Sequence, residues 1–97
     1  MALYDLYNKD AANESGSTVN IPSIKGNPTG LFQVKNAGTA VVKLEGRLVD
    51  DDTKADWEEV HSSSSASGAL SVALFPYMRV TISGQSGTPR IDAYLHA

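Results

Sequence analysis

The sequence predicts an all-β protein, an antiparallel β-sandwich of jelly-roll or Ig-like type. Apolar residues recur at every second position from residue 30 onwards, and no window of similar length has the i, i+3, i+4, i+7 spacing of an amphipathic helix. Clusters of Gly, Pro, Asn and Ser separate the alternating runs. Strict alternation is typical of antiparallel strands with one face on a core. About seven short strands separated by turns favour a sandwich or a small barrel.

Length and composition indicate one domain and exclude several classes of protein. The chain has 97 residues, no cysteine and a formal net charge of −3. Without cysteine it has no disulfide framework, no cysteine-bound zinc and no thiol nucleophile. The acidic balance disfavours broad nucleic-acid binding. No apolar run approaches the roughly 18 residues of a membrane span, and the N-terminus lacks the cationic start of a secretory signal. We therefore expect no membrane and no nucleic-acid partner.

Residues 1–29 are predicted to form an extended N-terminal arm, and residues 30–97 the β-sandwich domain. Polar residues dominate the arm, and Pro22 and Pro28 restrict it to one weak edge strand near residues 17–22. Four large side chains precede the polar stretch, and their spacing of three suits a helical turn. We expect them to anchor the arm on a partner, a frayed terminus being the alternative. These arm anchors are Leu3, Tyr4, Leu6 and Tyr7.

Within the sandwich the alternating runs and the turns define the strands in order. The runs centre on residues 32–34, 42–48, 57–60, 70–74, 78–82 and 91–95. Short turns at 36–39 and 50–54 are predicted to close hairpins, and longer links lie at 62–68 and 83–89. The Phe75-Pro76 pair predicts a corner where the chain changes sheets, because the residue before a proline is extended.

Gly46 interrupts the pattern of its strand, which indicates a close approach by another group. Trp57 is the predicted neighbour, buried as the largest side chain of the core. An exposed Trp57 would instead be a binding anchor. Trp57 and Val60 differ in parity, so either their strand bulges or one of them is exposed.

The segment 50–59 is strongly acidic, with six carboxylates and one lysine. Its spacing does not match the EF-hand calcium loop. The alternatives are calcium binding by the clustered carboxylates, a solvated hairpin whose charges block edge pairing, and a contact to a basic partner surface. We predict no metal and no cofactor, and we take Asp50, Asp51 and Asp52 as candidate partner contacts.

No constellation of residues predicts catalysis. His61 lies beside Ser62, but no G-x-S-x-G elbow is present, and histidines at strand ends such as His61 and His96 are usually solvated. The adjacent Glu58 and Glu59 would face opposite sides of a strand. We therefore predict a protein that is not an enzyme. On the outer faces, Lys43, Arg47, Arg79 and Tyr77 form only a weak basic and aromatic set.

Several segments resemble a recurring β-domain of tailed-bacteriophage virion proteins. The resemblance covers roughly residues 30–97. It rests on V-K-L-E-G-R-L at 42–48, the acidic turn at 50–52 and D-W-E-E-V at 56–60, on F-P-Y-M-R-V-T-I-S-G at 75–84, and on I-D-A-Y-L at 91–95. It implies a structural sandwich, most often a head decoration or cement protein. Such proteins bind the outer capsid surface and brace neighbouring major capsid subunits, commonly as trimers.

The resemblance implies a homo-oligomeric structural protein, with a trimer favoured. It would be made in the bacterial cytoplasm and bind the major capsid protein on the exterior of the virion. Beside the arm anchors, the candidate contacts are the acidic loop and the outward side chains of two strands, which are Asp50, Asp51, Asp52, Tyr77, Arg79 and Tyr94. The alternative is a carbohydrate- or receptor-binding module of a phage tail or tail fibre. That alternative needs an aromatic platform, formed if Tyr77 and Tyr94 lie side by side on one sheet.

Overall fold

The computed structural model describes residues 3–21, 28–35, 40–63, 68–85, 87 and 90–97 and has an all-β fold. Its eight strands are β1 (Leu3–Asp10), β2 (Val19–Asn20), β3 (Thr29–Lys35), β4 (Val41–Arg47), β5 (Glu58–Ser63), β6 (Gly68–Ala73), β7 (Tyr77–Ser83) and β8 (Arg90–His96). They form two antiparallel sheets of four strands. Sheet I has the order β1-β8-β3-β6, and sheet II has the order β2-β7-β4-β5. The predicted β-sandwich is confirmed.

The core lies between the two sheets and is built from the inward positions that alternation predicted. Every second residue of β3, β4, β7 and β8 is buried, as expected for strands with one face on a core. The largest fully buried side chains are Phe32, Leu6, Leu44, Met78, Ile82, Ile91, Leu95, Val34, Val42 and Val80. Leu48 was expected in the same inward series and is 68% exposed, because β4 ends at Arg47 and the chain turns away.

The N-terminal segment is a full strand of the sandwich and not a free arm or a helical turn. β1 pairs antiparallel with β8 along its whole length, and the register shifts between Asp5 and Tyr7. This bulge turns the consecutive residues Leu6 and Tyr7 both inward, and only 2% and 3% of their surfaces remain exposed. Tyr4 also packs against the core. The expected anchoring of a partner by Leu6 and Tyr7 is therefore wrong, because both side chains are used inside the chain.

The weak edge strand predicted near residues 17–22 is confirmed as β2. Val19 and Asn20 pair with Met78 and Tyr77 at the edge of sheet II. The preceding residues follow the same edge of β7, since Gly16 N donates to Val80 O at 2.8 Å and Ile82 N donates to Glu14 O at 2.8 Å. Residues 22–27, which include Pro22, lie outside the described residues.

The connections separate into those that stay in one sheet and those that cross. The turn around 50–54 joins the antiparallel neighbours β4 and β5, as predicted. The corner at Phe75-Pro76 is confirmed, because β6 belongs to sheet I and β7 to sheet II. The hairpin expected at 36–39 is wrong, since β3 and β4 lie in different sheets. The turn at 36–39 itself lies outside the described residues. So do parts of the two longer links, namely residues 64–67, 86, 88 and 89.

The group that approaches Gly46 is Phe75 and not Trp57. A Cβ at position 46 would lie 2.6 to 2.7 Å from three atoms of the Phe75 side chain. The chain corner before Pro76 therefore packs its aromatic ring onto β4, where only glycine leaves room. Trp57 precedes β5, is partly exposed and is not a core residue, so its predicted burial is wrong. Of the two alternatives for Trp57 and Val60, a bulge of β5 is present, because Leu44 pairs with His61 whereas Glu45 pairs with Glu59, which leaves Val60 as the extra residue.

Candidate functional site

The outer face of sheet I carries an exposed apolar patch, which we call the leucine patch. Leu3 of β1 and Leu31 of β3 both lie opposite His96 of β8, on either side of that strand. Their side chains are 64% and 51% exposed. Together with Gln33 and Tyr94 these residues line a shallow depression of about 180 Å³. Two exposed leucines in register across three strands form an apolar surface suited to contact with another macromolecule.

Two of the candidate residues named from the sequence lie in this patch. Leu3 was predicted as an anchor of an arm, and it reaches the surface because it precedes the bulge of β1 and keeps the outward parity. Tyr94 alternates with the buried Ala93 and Leu95, which is how its outward orientation was found. Leu31 was missed. Alternation nevertheless predicts its exposure, because Leu31 directly precedes the inward Phe32 and so occupies the outward register of its strand.

The outer face of sheet II carries a compact group that we call the tryptophan cluster. The Trp57 ring contacts two guanidinium groups, with its centroid 4.4 Å from Arg47 Cζ and 4.2 Å from Arg79 Cζ. Arg79 Nε donates to Glu45 Oε1 at 3.0 Å, and Thr81 Oγ1 donates to the same oxygen at 2.6 Å. Cation–π contacts and charged hydrogen bonds thus link the start of β5 to β4 and β7.

Arg47 is 7% exposed although it occupies the outward register of β4. The turn that follows the strand folds over it, so that Arg47 Nη1 donates to Asp52 Oδ1 at 2.6 Å and Nη2 donates to Asp50 Oδ1. The hydrogen bond to Asp52 contributes most to raising the pKa of Arg47 above its usual value, and the hydrogen bond to Asp50 contributes second. Nε of Arg47 is buried without a hydrogen-bond partner in the described part of the chain.

The acidic loop therefore uses its carboxylates within the chain. Asp50 and Asp52 bind Arg47, and Asp51 Oδ1 accepts from Thr53 Oγ1 at 2.7 Å and from Thr53 N at 2.8 Å. The hydrogen bond from the Thr53 hydroxyl contributes most to lowering the pKa of Asp51 below its usual value, and the hydrogen bond from the Thr53 amide contributes second. Among the described residues, no group of three or more His, Asp or Glu side chains is placed to hold a metal ion.

The basic groups expected on the outer face are also paired. Lys43 Nζ lies 3.5 Å from Glu59 Oε1, and Arg79 and Arg47 bind the carboxylates described above. Tyr77 lies opposite Arg47 in sheet II, whereas Tyr94 belongs to sheet I. The two tyrosines therefore do not form one aromatic platform, which is the feature that the carbohydrate-binding alternative required. His61, expected to be solvated, is half-buried, with its ring 6.5 Å from that of Phe32.

Comparison with known proteins gives no match, whether to a protein-family model, to a curated protein or to a solved structure. The described part of the chain has no helix long and apolar enough to cross a membrane. The chemistry of the two outer faces is therefore the basis for assigning a role. The tryptophan cluster satisfies most of its charges internally, whereas the leucine patch leaves apolar area uncovered.

Replacing Trp57 tests whether the tryptophan cluster stabilises the fold. Trp57→Leu keeps an apolar side chain and removes the π face, so we expect the free energy of unfolding to fall by about 1–2 kcal/mol from two cation–π contacts. Urea denaturation followed by circular dichroism measures this change. In a background of Arg47→Met and Arg79→Met the same substitution should cost less. An equal cost in both backgrounds would show that the two guanidinium groups contribute nothing through the ring.

Proposed function

We propose that this protein is a structural component of a tailed-bacteriophage virion, a decoration or cement protein that binds the outer capsid surface and braces neighbouring major capsid subunits. The observation that carries the proposal is the leucine patch, which presents two exposed leucines on a regular sheet. The sequence resemblance over residues 30–97 supplies the kind of partner. In this role the protein performs no chemistry, acts as a homo-oligomer, and resides on the exterior of the capsid.

The size of the leucine patch fits a partner that is repeated many times. Covering the exposed parts of Leu3 and Leu31 contributes roughly 2–3 kcal/mol for each copy. That is too little for a tight one-to-one complex, which needs about 12 kcal/mol for a nanomolar dissociation constant. On a capsid lattice the same small contact repeats, and an oligomer gains from several contacts at once. Binding that favours the assembled shell then stabilises it by mass action.

The structure changes which of the predicted contacts support the proposal. Leu3 and Tyr94 remain candidate contacts, and Leu31 joins them. Asp50 and Asp52 are paired with Arg47, and Arg79 is paired with Glu45, so contact through them would require replacing these ion pairs. Asp51 holds the turn through Thr53. We therefore place the capsid-binding surface on sheet I.

Co-sedimentation tests the proposal. Purified protein is mixed with shells assembled from the major capsid protein encoded in the same genome, and the bound fraction is measured, followed by imaging of the added density. We expect saturable binding, weakened about tenfold by Leu31→Ser, because a half-exposed leucine contributes roughly 1–1.5 kcal/mol when covered. The matched control is Leu48→Ser, which removes a leucine that is 68% exposed but lies beyond β4, away from sheet I. Wild-type protein that stays in the supernatant would refute the proposal, and equal losses in both variants would refute the assigned surface.

A further inference from the structure

The two sheets have four edge strands, and three of them are protected against pairing with another chain. β1 carries the bulge at Leu6 and several charged side chains, and β2 has only two residues. β5 carries the bulge at Val60 together with Glu58 and Glu59. Bulges, charges and short length are the usual means by which proteins block edge-to-edge association. β6 has none of them: its sequence is G-A-L-S-V-A, without a charged residue or a proline, and its register with β3 is regular over six pairs.

One hydrogen bond shows which backbone groups of β6 point to the free edge. Leu74 N donates to Pro28 O at 3.2 Å, in the same register as the β3–β6 ladder. Hydrogen-bonded and non-hydrogen-bonded pairs alternate along an antiparallel ladder. Leu70 and Val72 therefore direct their N–H and C=O groups to β3, and residues 69, 71 and 73 direct theirs away from it. In the described part of the chain, no strand lies on that side of β6.

We propose that β6 pairs antiparallel with β6 of a second copy of this chain, around a two-fold axis at Ser71, so that the two copies of sheet I become one eight-stranded sheet. With Ser71 opposite Ser71 of the second copy, the three outward residues of each strand form about six backbone hydrogen bonds. A register shifted by two residues leaves residue 69 or residue 73 without a partner in β6, depending on the direction of the shift. The occupant is a second copy because an uncharged strand offers no selectivity for a charged partner and is complementary to itself under a two-fold axis.

The side chains agree with this register. Leu70 would lie opposite Val72 of the second copy, and both residues belong to the core-facing series of sheet I. Leu70 is only partly buried in the single chain, so pairing would extend the core across the junction. The outward residue at the centre is the exposed Ser71, which is small and neutral. The joined sheet thus keeps one apolar face and one wet face.

This inference goes beyond the proposed function and does not rest on it. The two-fold axis is perpendicular to the joined sheet, so both leucine patches lie on the same side. The two copies of β3 are separated by three strand spacings of about 4.8 Å, or roughly 14 Å. A dimer of this kind would present two patches to one surface and bind any partner of that surface twice.

The mass of the protein in solution is the first test, and Ser71→Pro is the decisive variant. We expect a dimer of twice the 10.3 kDa chain mass that dissociates on dilution. Proline at position 71 removes an N–H that points to the free edge and leaves the ladder to β3 intact. Loss of the two hydrogen bonds at the axis should weaken the dimer about tenfold to hundredfold, while the circular dichroism spectrum and the two-state melt of the dissociated chain persist.

Cysteine substitution tests the register independently of stability. The chain has no cysteine, so Ser71→Cys introduces a single thiol. Opposite residues of a hydrogen-bonded pair lie about 5.5 Å apart at Cα, within the range of a disulfide. We expect rapid formation of a disulfide-linked dimer. The control is Ser62→Cys, which places an exposed thiol on the edge strand β5 and should link slowly.

A monomer or trimer at high concentration, an unchanged dimer in Ser71→Pro, or equal linking of both thiols would overturn the proposal. A monomer whose binding to capsid shells is lost in Ser71→Pro would assign β6 to a strand of the capsid protein instead.

Discussion

Deletion of residues 1–10 should abolish cooperative folding of the chain. The deletion removes β1, and with it Leu6 and Tyr7, which are among the buried residues of the core. Truncating one such side chain typically costs about 2–5 kcal/mol, so losing both costs on the order of 4–10 kcal/mol. The deletion also removes the partner of β8 along its full length. A domain of this size has a total stability of about 5–15 kcal/mol, so little or none remains.

Thermal and urea denaturation followed by circular dichroism and by Trp57 fluorescence measures this result. The matched variants are Leu6→Ala, expected to lose about 2–5 kcal/mol, and Leu3→Ser, expected to stay within about 0.5 kcal/mol of the wild type because Leu3 is exposed. A free arm would give the opposite pattern. If the truncated chain kept a wild-type melting transition, the assignment of β1 to the sandwich would be wrong.

The contrast between β1 and the later strands shows what the sequence could and could not predict. From β3 onwards alternation predicts the core-facing positions of β3, β4, β7 and β8, whereas β5 carries a bulge at Val60. In β1 a bulge shifts the parity between Asp5 and Tyr7, and the resulting apolar spacing imitates a helical turn. A bulge cannot be recognised from amino-acid composition, because it depends on how two strands that are distant in sequence pair with each other.

Connections were predictable only where one residue type decides the geometry. Proline fixed the corner at Phe75-Pro76, since it restricts the backbone of the residue before it. The stretch 36–39 has the composition of a hairpin turn, but composition does not determine whether the next strand pairs with the last or crosses to the other sheet. The acidic loop was correctly seen as a turn, whereas its role as the cover of Arg47 depends on three-dimensional proximity.

The surface was predicted in part for the same reason. Outward positions follow from alternation, which placed Tyr94 and Arg79 correctly on outer faces. Whether such a residue is available to a partner depends on its neighbours across the sheet. Arg79 lies directly opposite Glu45 and is paired, whereas Leu31 lies opposite His96 and Ser71 and is exposed. Strand order determines these neighbours, and strand order cannot be derived from a single sequence.

Gly46→Ala should lower the free energy of unfolding by about 1–3 kcal/mol, or more where the backbone cannot yield. The new Cβ would lie 2.6 to 2.7 Å from the Phe75 side chain, including its Cβ. A clash between two Cβ atoms is not relieved by a rotamer change, because Cβ positions are fixed by the backbone. β4 is a central strand, paired with both β5 and β7, so its backbone has little freedom to move. Urea denaturation at equilibrium measures the loss.

A double-mutant cycle with Phe75→Gly separates steric conflict from the general cost of replacing a glycine. Phe75→Gly destabilises the protein by itself because it removes a ring that packs against the core. In that background Gly46→Ala should cost much less than in the wild type, since the clashing atoms are gone. Gly84→Ala is the control: its φ of 66° strains an alanine, but nothing lies within 4 Å of the added Cβ. Its cost, about 1–2 kcal/mol, should be the same with either residue at position 75. Additive costs for positions 46 and 75 would mean that Phe75 is not what requires glycine in β4.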